Sequence, residues 1–389
     1  MFRTFVGALS LCGVLTACGR ANGPNNQPAG TLQADVRASS RAPLQPIMDV
    51  ELNGSNCAWI VNKDLDLVFT TDAGASWQQT DSGVVGGYMH VRFVDPHWGW
   101  ARNSRHLLWF TSDGGHTWSR LGDIAEFIRL CTGDPQNPPG PLWLSNDAGS
   151  TWLNDPRLPE SPSDDTLEIK LTDQRHVWVA QTLTVLQSED SGTHWLRHEF
   201  NGYLLRFFEL DSNTAWVAVG EWTADGDYTK TLYQTKDGGR TWRKKRMRLP
   251  AGDSNELYFI NDRQGWFSTT DKLYRTDSGG SSWYVQEIPG NNTIVDSIYF
   301  RDQNEGWAAG EEEAGESDGE PLFRGVLLHS LDGGATWQLV RIEEDDWYDR
   351  VQFGDDGEGW LVGFDRVYHS SDGGLNWQAV LRLPSAYKK

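Results

Sequence analysis

The side chains of this sequence that could do chemistry are mostly carboxylates. Of its 389 residues, 54 are Asp or Glu. Two carboxyl groups placed across a glycosidic bond can hydrolyse it, one as acid and the other as nucleophile or base, so the supply alone leaves glycan cleavage open. Clustered carboxylates also suit Ca2+, which prefers oxygen ligands. Glu311-Glu312-Glu313 with Glu316, Asp318 and Glu320 is one such run, and Glu343-Glu344-Asp345-Asp346 is another. Neither has EF-hand spacing, and runs of like charge are as a rule solvated and mobile. The nine His residues show no His-x-x-x-His or similar spacing. No Gly-x-Ser-x-Gly or phosphate-loop pattern occurs. The reading is therefore no catalytic set, no metal and no cofactor.

Eight of the carboxylates belong to a repeat. The octapeptide Thr70-Thr71-Asp72-Ala73-Gly74-Ala75-Ser76-Trp77 recurs at 111–118, 145–152, 188–195, 235–242, 276–283, 330–337 and 370–377. Its acids are Asp72, Asp113, Asp147, Asp190, Asp237, Asp277, Asp332 and Asp372, the sixth displaced by one place because Asp277-Ser278 replaces x-Asp. The chemistry of this box is that of a turn. Asp accepts N–H groups of its own turn, Gly takes positive φ, the hydroxyl residue adds a local bond and Trp covers the turn with apolar surface. These carboxylates are expected to hold structure.

The elements that must position the boxes are short strands. Trp59, Trp100, Trp178, Trp216, Trp266, Trp307 and Trp360 sit in apolar runs ahead of their boxes. Seven residues before most of them another alternating run ends, at Leu52, Phe93, Leu171, Phe259, Phe300 and Phe353; in the fifth repeat the gap is eight, from Phe208. Each repeat therefore reads strand a, strand b, strand c, box, strand d. Four antiparallel strands recurring at this period describe a propeller blade. The predicted fold is all-β, a single propeller of eight blades. The third repeat has Pro135, Pro138, Pro139 and Pro141 and lacks a strand-b Trp, so seven blades is the alternative if it merges with a neighbour.

The boxes and their spacing resemble the BNR/Asp-box propellers, which include sialidases, xyloglucan-cleaving glucanases, the sortilin ectodomain and photosystem II stability and assembly factors. Phe300-Arg301-Asp302-Gln303-Asn304-Glu305-Gly306-Trp307 looks most like the last group. That resemblance implies a protein-binding assembly or stability factor; the other members imply a glycoside hydrolase or glycan-binding propeller as the alternative. Sialidases carry Arg-Ile-Pro or Arg-Leu-Pro before the first box. Here Arg157-Leu158-Pro159, Arg248-Leu249-Pro250 and Arg382-Leu383-Pro384 all follow boxes.

The N-terminus sets the expected compartment. Arg3 precedes an apolar stretch that ends Leu15-Thr16-Ala17-Cys18, a secretory signal pattern that resembles the bacterial lipobox. The resemblance implies cleavage after residue 17 and acylation of Cys18. Residues 1–17 are read as the signal and 18–45 as the lipidated Cys plus a disordered tether. Residues 46–389 are read as the propeller. Gly19 resembles an outer-membrane address, which would place the chain facing the periplasm, or the thylakoid lumen in a photosynthetic cell. The formal net charge of −20 disfavours nucleic acid. Cys57 and Cys131 lie two blades apart and are expected to remain buried thiols without bridging.

Loop lengths point to a working end. The c–d box is constant and the a–b turn nearly so, whereas b–c and d–a connections vary. Functional residues gather in variable loops carried by a rigid scaffold. Trp222 and Trp347 have no structural place in the repeat and lie in such loops with Tyr228 and Tyr348. These four, with Asp225 and Asp227, are the expected partner contacts. The basic strip on strand d of the fifth repeat, including Arg243 and Lys245, is the second candidate. Its other reading is edge protection.

Overall fold

In a computed structural model, residues 47–383 are described except for 63–65, 81–83, 85–86, 94, 104–106, 121–142, 146–152, 155–167, 173–174, 182, 191–192, 223–226, 250–253, 271, 291, 318–319, 341 and 343–346. The expectations for the signal, Cys18, the tether, Cys131, Asp147 and Asp225 fall outside the described residues.

The fold is all-β, with thirty strands in seven sheets among the described residues. The first sheet holds β1 (Ile47–Asn53), β2 (Cys57–Asn62), β3 (Leu67–Thr70) and β4 (Gln78–Thr80). The second holds β5 (Tyr88–Phe93), β6 (Gly99–Asn103), β7 (Leu108–Thr111) and β8 (Ser119–Arg120). The third holds β9 (Trp143–Ser145), β10 (Leu153–Asn154), β11 (Glu168–Leu171), β12 (Val177–Ala180), β13 (Thr184–Ser188) and β14 (His194–Glu199). Next come β15 (Tyr203–Glu209), β16 (Ala215–Trp222), β17 (Tyr228–Thr235) and β18 (Arg243–Arg248). The fifth holds β19 (Ser254–Phe259), β20 (Gly265–Thr269), β21 (Leu273–Thr276) and β22 (Tyr284–Val285). The sixth holds β23 (Ile294–Phe300), β24 (Gly306–Ser317), β25 (Glu320–Ser330) and β26 (Gln338–Val340). The last holds β27 (Tyr348–Phe353), β28 (Gly359–Gly363), β29 (Arg366–Ser370) and β30 (Gln378–Arg382).

Six sheets are four-stranded meanders in the expected order a, b, c, d, the blades of a β-propeller. The third corrects the expectation of eight blades to seven. Its order is β10-β9-β14-β13-β12-β11, with β9 parallel to β14. Among its described residues the third repeat gives a c–d hairpin added to the outer edge of the fourth repeat's blade. Among the described residues this hairpin pairs with the outer edge of β14, an open strand edge that can accept another strand.

The strands divide into two compact units. One comprises β9 to β26 with the start of β27; the other comprises β1 to β8 with the rest of β27 and β28 to β30. The same wedge builds both. In the second unit Trp59 of strand b stacks on Phe93 of the next blade's strand a, with centroids 3.7 Å apart and planes 8° from parallel. Trp118 of that blade's box meets Phe93 edge-on at 6.0 Å. In the first unit Trp216 stacks on Phe259 at 3.9 Å, and Trp283 meets Phe259 at 6.2 Å. Trp266, Phe300 and Trp337 repeat the arrangement. The seven strand-b Trp side chains are at most 1% exposed. This packing explains the Phe…Gly-Trp run. The ring of Phe300 lies over Gly306, where a Cβ would sit 2.4 Å from it, so any side chain there would push the ring off Trp266.

The boxes behave as turns. Asp332 Oδ1 accepts the Ser330 hydroxyl at 2.9 Å and the Thr336 N–H at 2.9 Å, and Oδ2 accepts the Thr336 hydroxyl at 2.6 Å. Gly333 and Gly334 have φ of 66° and 70°, the left-handed region where a side chain is strained. The Asp72, Asp113, Asp237 and Asp372 boxes share the pattern. In the sixth repeat the Ser278 hydroxyl oxygen takes the carboxylate's place and accepts the Ser282 N–H at 2.9 Å. The displaced Asp277 turns instead to Arg275 at 3.2 Å and to the Tyr284 hydroxyl at 2.5 Å. Cys57 is buried, as expected.

Candidate functional site

Each blade has a closed end and an open one. At the closed end the box is tied to the a–b turn: the N–H of Gly333 donates to Asn304 O at 2.7 Å, and the N–H of Gly114 to His97 O at 2.9 Å. The a–b turn is itself closed by a side chain, with Asp302 Oδ1 accepting the Asn304 and Glu305 N–H groups. These bonds keep its length constant. The b–c and d–a connections form the opposite end; short b–c turns are also closed by a side chain, as where Asn62 Oδ1 accepts the Asp66 N–H at 2.9 Å, but b–c hairpins such as β16–β17 and β24–β25 run much longer.

Exposed aromatics gather at that opposite end. β16 and β17 extend until Trp222 pairs with Tyr228 across the hairpin, their rings 5.1 Å apart. Trp222 is 69% exposed and Tyr228 43%. Asp227 is exposed beside them. Trp347 precedes β27 and is 42% exposed. Tyr348 does not share this position. It opens β27 with its side chain turned inward, 3% exposed, on the face opposite that of exposed Asp349. The basic strip stands apart on β18, the outer strand of its blade. Arg243 is exposed, whereas Lys245 is half-buried and donates to Gln234 Oε1 at 2.6 Å on the neighbouring strand. Burial, then the like charge of Lys236, lowers the Lys245 pKa. Lys245 is thus largely a strand-to-strand contact.

The acidic insert of the seventh repeat, expected as a solvated run, begins as regular strand. It is the distal half of the long hairpin β24–β25. Glu312 is 2% exposed and pairs with Arg324, whose Nε donates at 2.7 Å. Glu313 accepts the Asn292 side-chain N–H at 2.6 Å. These partners offset the like-charge repulsion and let the strand continue. Phe323, paired with Glu313, is 42% exposed. It is an anchor candidate that the sequence reading passed over as part of a charged loop.

The sequence reading also missed the polar lining of the inner strands. Ten residues before each strand-b Trp stand Asp49, His90, Glu168, Arg206, Glu256, Ser297 and Arg350, all polar. In five inner strands a register shift immediately precedes this position, for example between Leu204 and Arg206 and between Val295 and Ser297. Such bulges re-aim side chains. An inner strand is the open edge of its blade, and these side chains serve the edge of the next one. In the second unit Asp49 accepts the Val91 N–H at 2.9 Å and the Arg92 guanidinium at 2.9 Å. In the first unit Ser297 Oγ accepts the Val351 N–H at 3.3 Å, and the Tyr258 hydroxyl oxygen accepts the Phe300 N–H at 3.1 Å.

Three carboxyls of the first unit's inner strands titrate far above their ordinary range. Burial pushes Glu209 to about 7, against the opposing pull of Lys170. Burial pushes Glu256 to about 7, opposed by Arg206. Asp296 reaches about 7 through burial, with further repulsion from Asp349 and Glu311. Glu209 also explains the eight-residue gap of the fifth repeat. It occupies the register of Phe93, Phe259 and Phe300, opposite Ala215 where those rings lie opposite Gly. Among the described residues no three His, Cys, Asp or Glu side chains converge closely enough to share a metal ion.

No protein-family model and no curated protein sequence matches the chain. Among solved structures it is similar to YCF48 bound to a D1 peptide, at 19% identity over 84% of this chain and 96% of that one, with a TM-score of 0.50. YCF48 from Cyanidioschyzon merolae gives 14% identity over 83% and 97%, with a TM-score of 0.52. The WD40 β-propeller domain of Doa1 gives 11% identity over 85% and 95%, with a TM-score of 0.50. At these identities the likeness is one of fold, and the fold is the β-propeller.

Proposed function

We propose that this chain is an extracytoplasmic lipoprotein, tethered through Cys18, whose propeller holds a protein partner of an envelope or membrane complex as an assembly or stability factor. The observation that carries the reading is the set of exposed aromatics at the end where b–c and d–a connections meet. An exposed Trp costs solvation, and aromatic residues are the commonest interface anchors. Support comes from the YCF48 structure, a propeller of similar fold described with a bound D1 peptide. The test is capture of partner from membranes by Trp222→Ala and Trp347→Ala variants. Both should capture poorly with an unchanged melting temperature. Trp118→Ala, buried at a box, should lower the melting temperature and leave capture by the folded fraction intact. Unchanged capture by both loop variants would refute the placement.

A second reading, glycoside hydrolysis, draws on Glu209 and Glu256. A carboxyl that titrates near neutrality is the kind of acid such enzymes use. Turnover of a sialoside or β-glucan by the wild type, lost in Glu256→Gln, would replace the scaffold reading with this one.

A further inference from the structure

The exposed aromatics of the open end stand among carboxylates. Phe323 lies across the β24–β25 hairpin from Glu313, and Ile294 of the neighbouring strand pairs with Glu311. Trp347 is two residues from Asp349, which is exposed at the start of β27. Asp296 lies in the β23 bulge. The Val351 N–H donates to Ser297 Oγ at 3.3 Å, which brings the start of β27 with Asp349 beside this bulge, and Glu311 pairs with Ile294 two residues before Asp296; both acids oppose the charge of Asp296. Arg206 also acts on Asp296, but more weakly than either acid.

Resting on the scaffold reading above, we infer that the partner segment is a cationic apolar peptide: Lys or Arg side chains enter among Asp296, Glu311 and Asp349 while flanking apolar side chains pack on Phe323 and Trp347, with Trp222 and Tyr228 a second apolar station along the same end. Two independent features set this chemistry. The apolar stations are aromatic and solvent-facing, and a peptide covering them gains by burying them. Glu311 and Asp349 each oppose the charge of Asp296, and a cation relieves that opposition. A metal ion is the poorer fit, since the described side chains do not converge on one point. A guanidinium or ammonium on a flexible stem can reach carboxylates spread over several strands. An acidic segment would meet the same carboxylates as like charges, which costs affinity.

The test is selection of displayed random dodecapeptides on the folded, unlipidated chain. Lys and Arg interleaved with apolar residues should be enriched, and Asp and Glu depleted. Binding of an enriched peptide should weaken as ionic strength rises. It should weaken about tenfold or more in Phe323→Ser or Trp347→Ser, and about three- to tenfold in Asp349→Asn. Leu375→Ser, a 72% exposed position in a box, should leave it unchanged. Enrichment of neutral or acidic peptides that depend on Trp222 and Trp347 would overturn the cationic assignment and leave the scaffold reading standing. Cationic peptides indifferent to every variant would overturn the placement. No enrichment at all on correctly folded protein would overturn both.

Discussion

Removing the Asp113 carboxylate separates a structural box from a functional one. Asp113 accepts three hydrogen bonds: from the Thr111 hydroxyl at 2.7 Å, the Thr117 N–H at 2.9 Å and the Thr117 hydroxyl at 2.6 Å. In Asp113→Ala the two Thr117 donors, on an exposed residue, turn to water at little cost. The Thr111 hydroxyl is different. Thr111 is 1% exposed, and its oxygen is already occupied by the Gly115 N–H at 2.9 Å, so its proton loses a partner in a place water does not reach. A buried donor left unsatisfied costs about 1–3 kcal/mol, and the whole substitution should fall in that range. Ser278→Asp is the reciprocal change. It restores a charged acceptor where Ser278 now receives the Ser282 N–H, for a gain of about 0.5–1 kcal/mol, limited by repulsion from Asp277. Urea unfolding followed by Trp fluorescence reads both as midpoint shifts at constant slope. An unmoved midpoint for Asp113→Ala would refute the assignment of these bonds. A lost partner interaction at unchanged midpoint would make the box functional.

The pH dependence of stability should have two limbs. Glu209, Glu256 and Asp296 titrate near 7 when folded, above their unfolded range. The folded state therefore holds protons that the unfolded state has released, and stability falls as pH rises from about 4 through 7, by on the order of 1–3 kcal/mol in all after discounting for water contact. Asp332 goes the other way: the hydrogen bonds of Thr336 hold it below its ordinary range, so its contribution is lost as acid protonates it. Unfolding midpoints should peak near pH 5, and Glu209→Gln with Glu256→Gln and Asp296→Asn should flatten the alkaline limb; a fall that persists undiminished in that variant would contradict the assignment. Gly306→Ala places a methyl against the Phe300 ring and should cost about 1–3 kcal/mol by overpacking, seen as a lower melting temperature with no change in fold by circular dichroism. Cys18→Ser should shift the chain out of the membrane fraction; unchanged attachment with no acyl mass in either form would remove the lipoprotein reading.

The blade architecture was legible because the wedge that builds it is written in residues with few substitutes. A Trp on strand b, a Phe seven residues earlier and a Gly beneath that Phe recur because ring stacking tolerates little else. The blade count was harder to read. The third repeat keeps a box-like octapeptide at 145–152, and a box reports only a c–d turn. It carries no information about whether strands a and b exist to complete a blade. The prolines ahead of it were the signal in the sequence for the alternative of seven blades, and the sheet order, with β9 joined to β14, is that of a merged repeat.

The open end was less legible, for two physical reasons. A strand normally announces itself by alternation of apolar and polar residues, yet Glu311 to Glu313 has none: Arg324 across the hairpin neutralises Glu312, and the Asn292 side-chain N–H donates to Glu313. Tyr348 presents the opposite problem. Next to Trp347 in a variable connection it looks like a second surface aromatic, but strand β27 begins at Tyr348 and its pleat turns that side chain inward while Trp347 stays outside. Glu209 joins both lessons. The gap from Phe208 to Trp216 is eight residues where the other repeats have seven, because the strand keeps register and puts a carboxylate where its sister blades have a wedge aromatic. Phe207, two residues earlier on the same side, meets Trp178 at 5.8 Å in the aromatic's stead. The blade thereby keeps its packing while freeing one inner-strand position for a titratable group, and the only trace of this in the sequence is a spacing that is off by one.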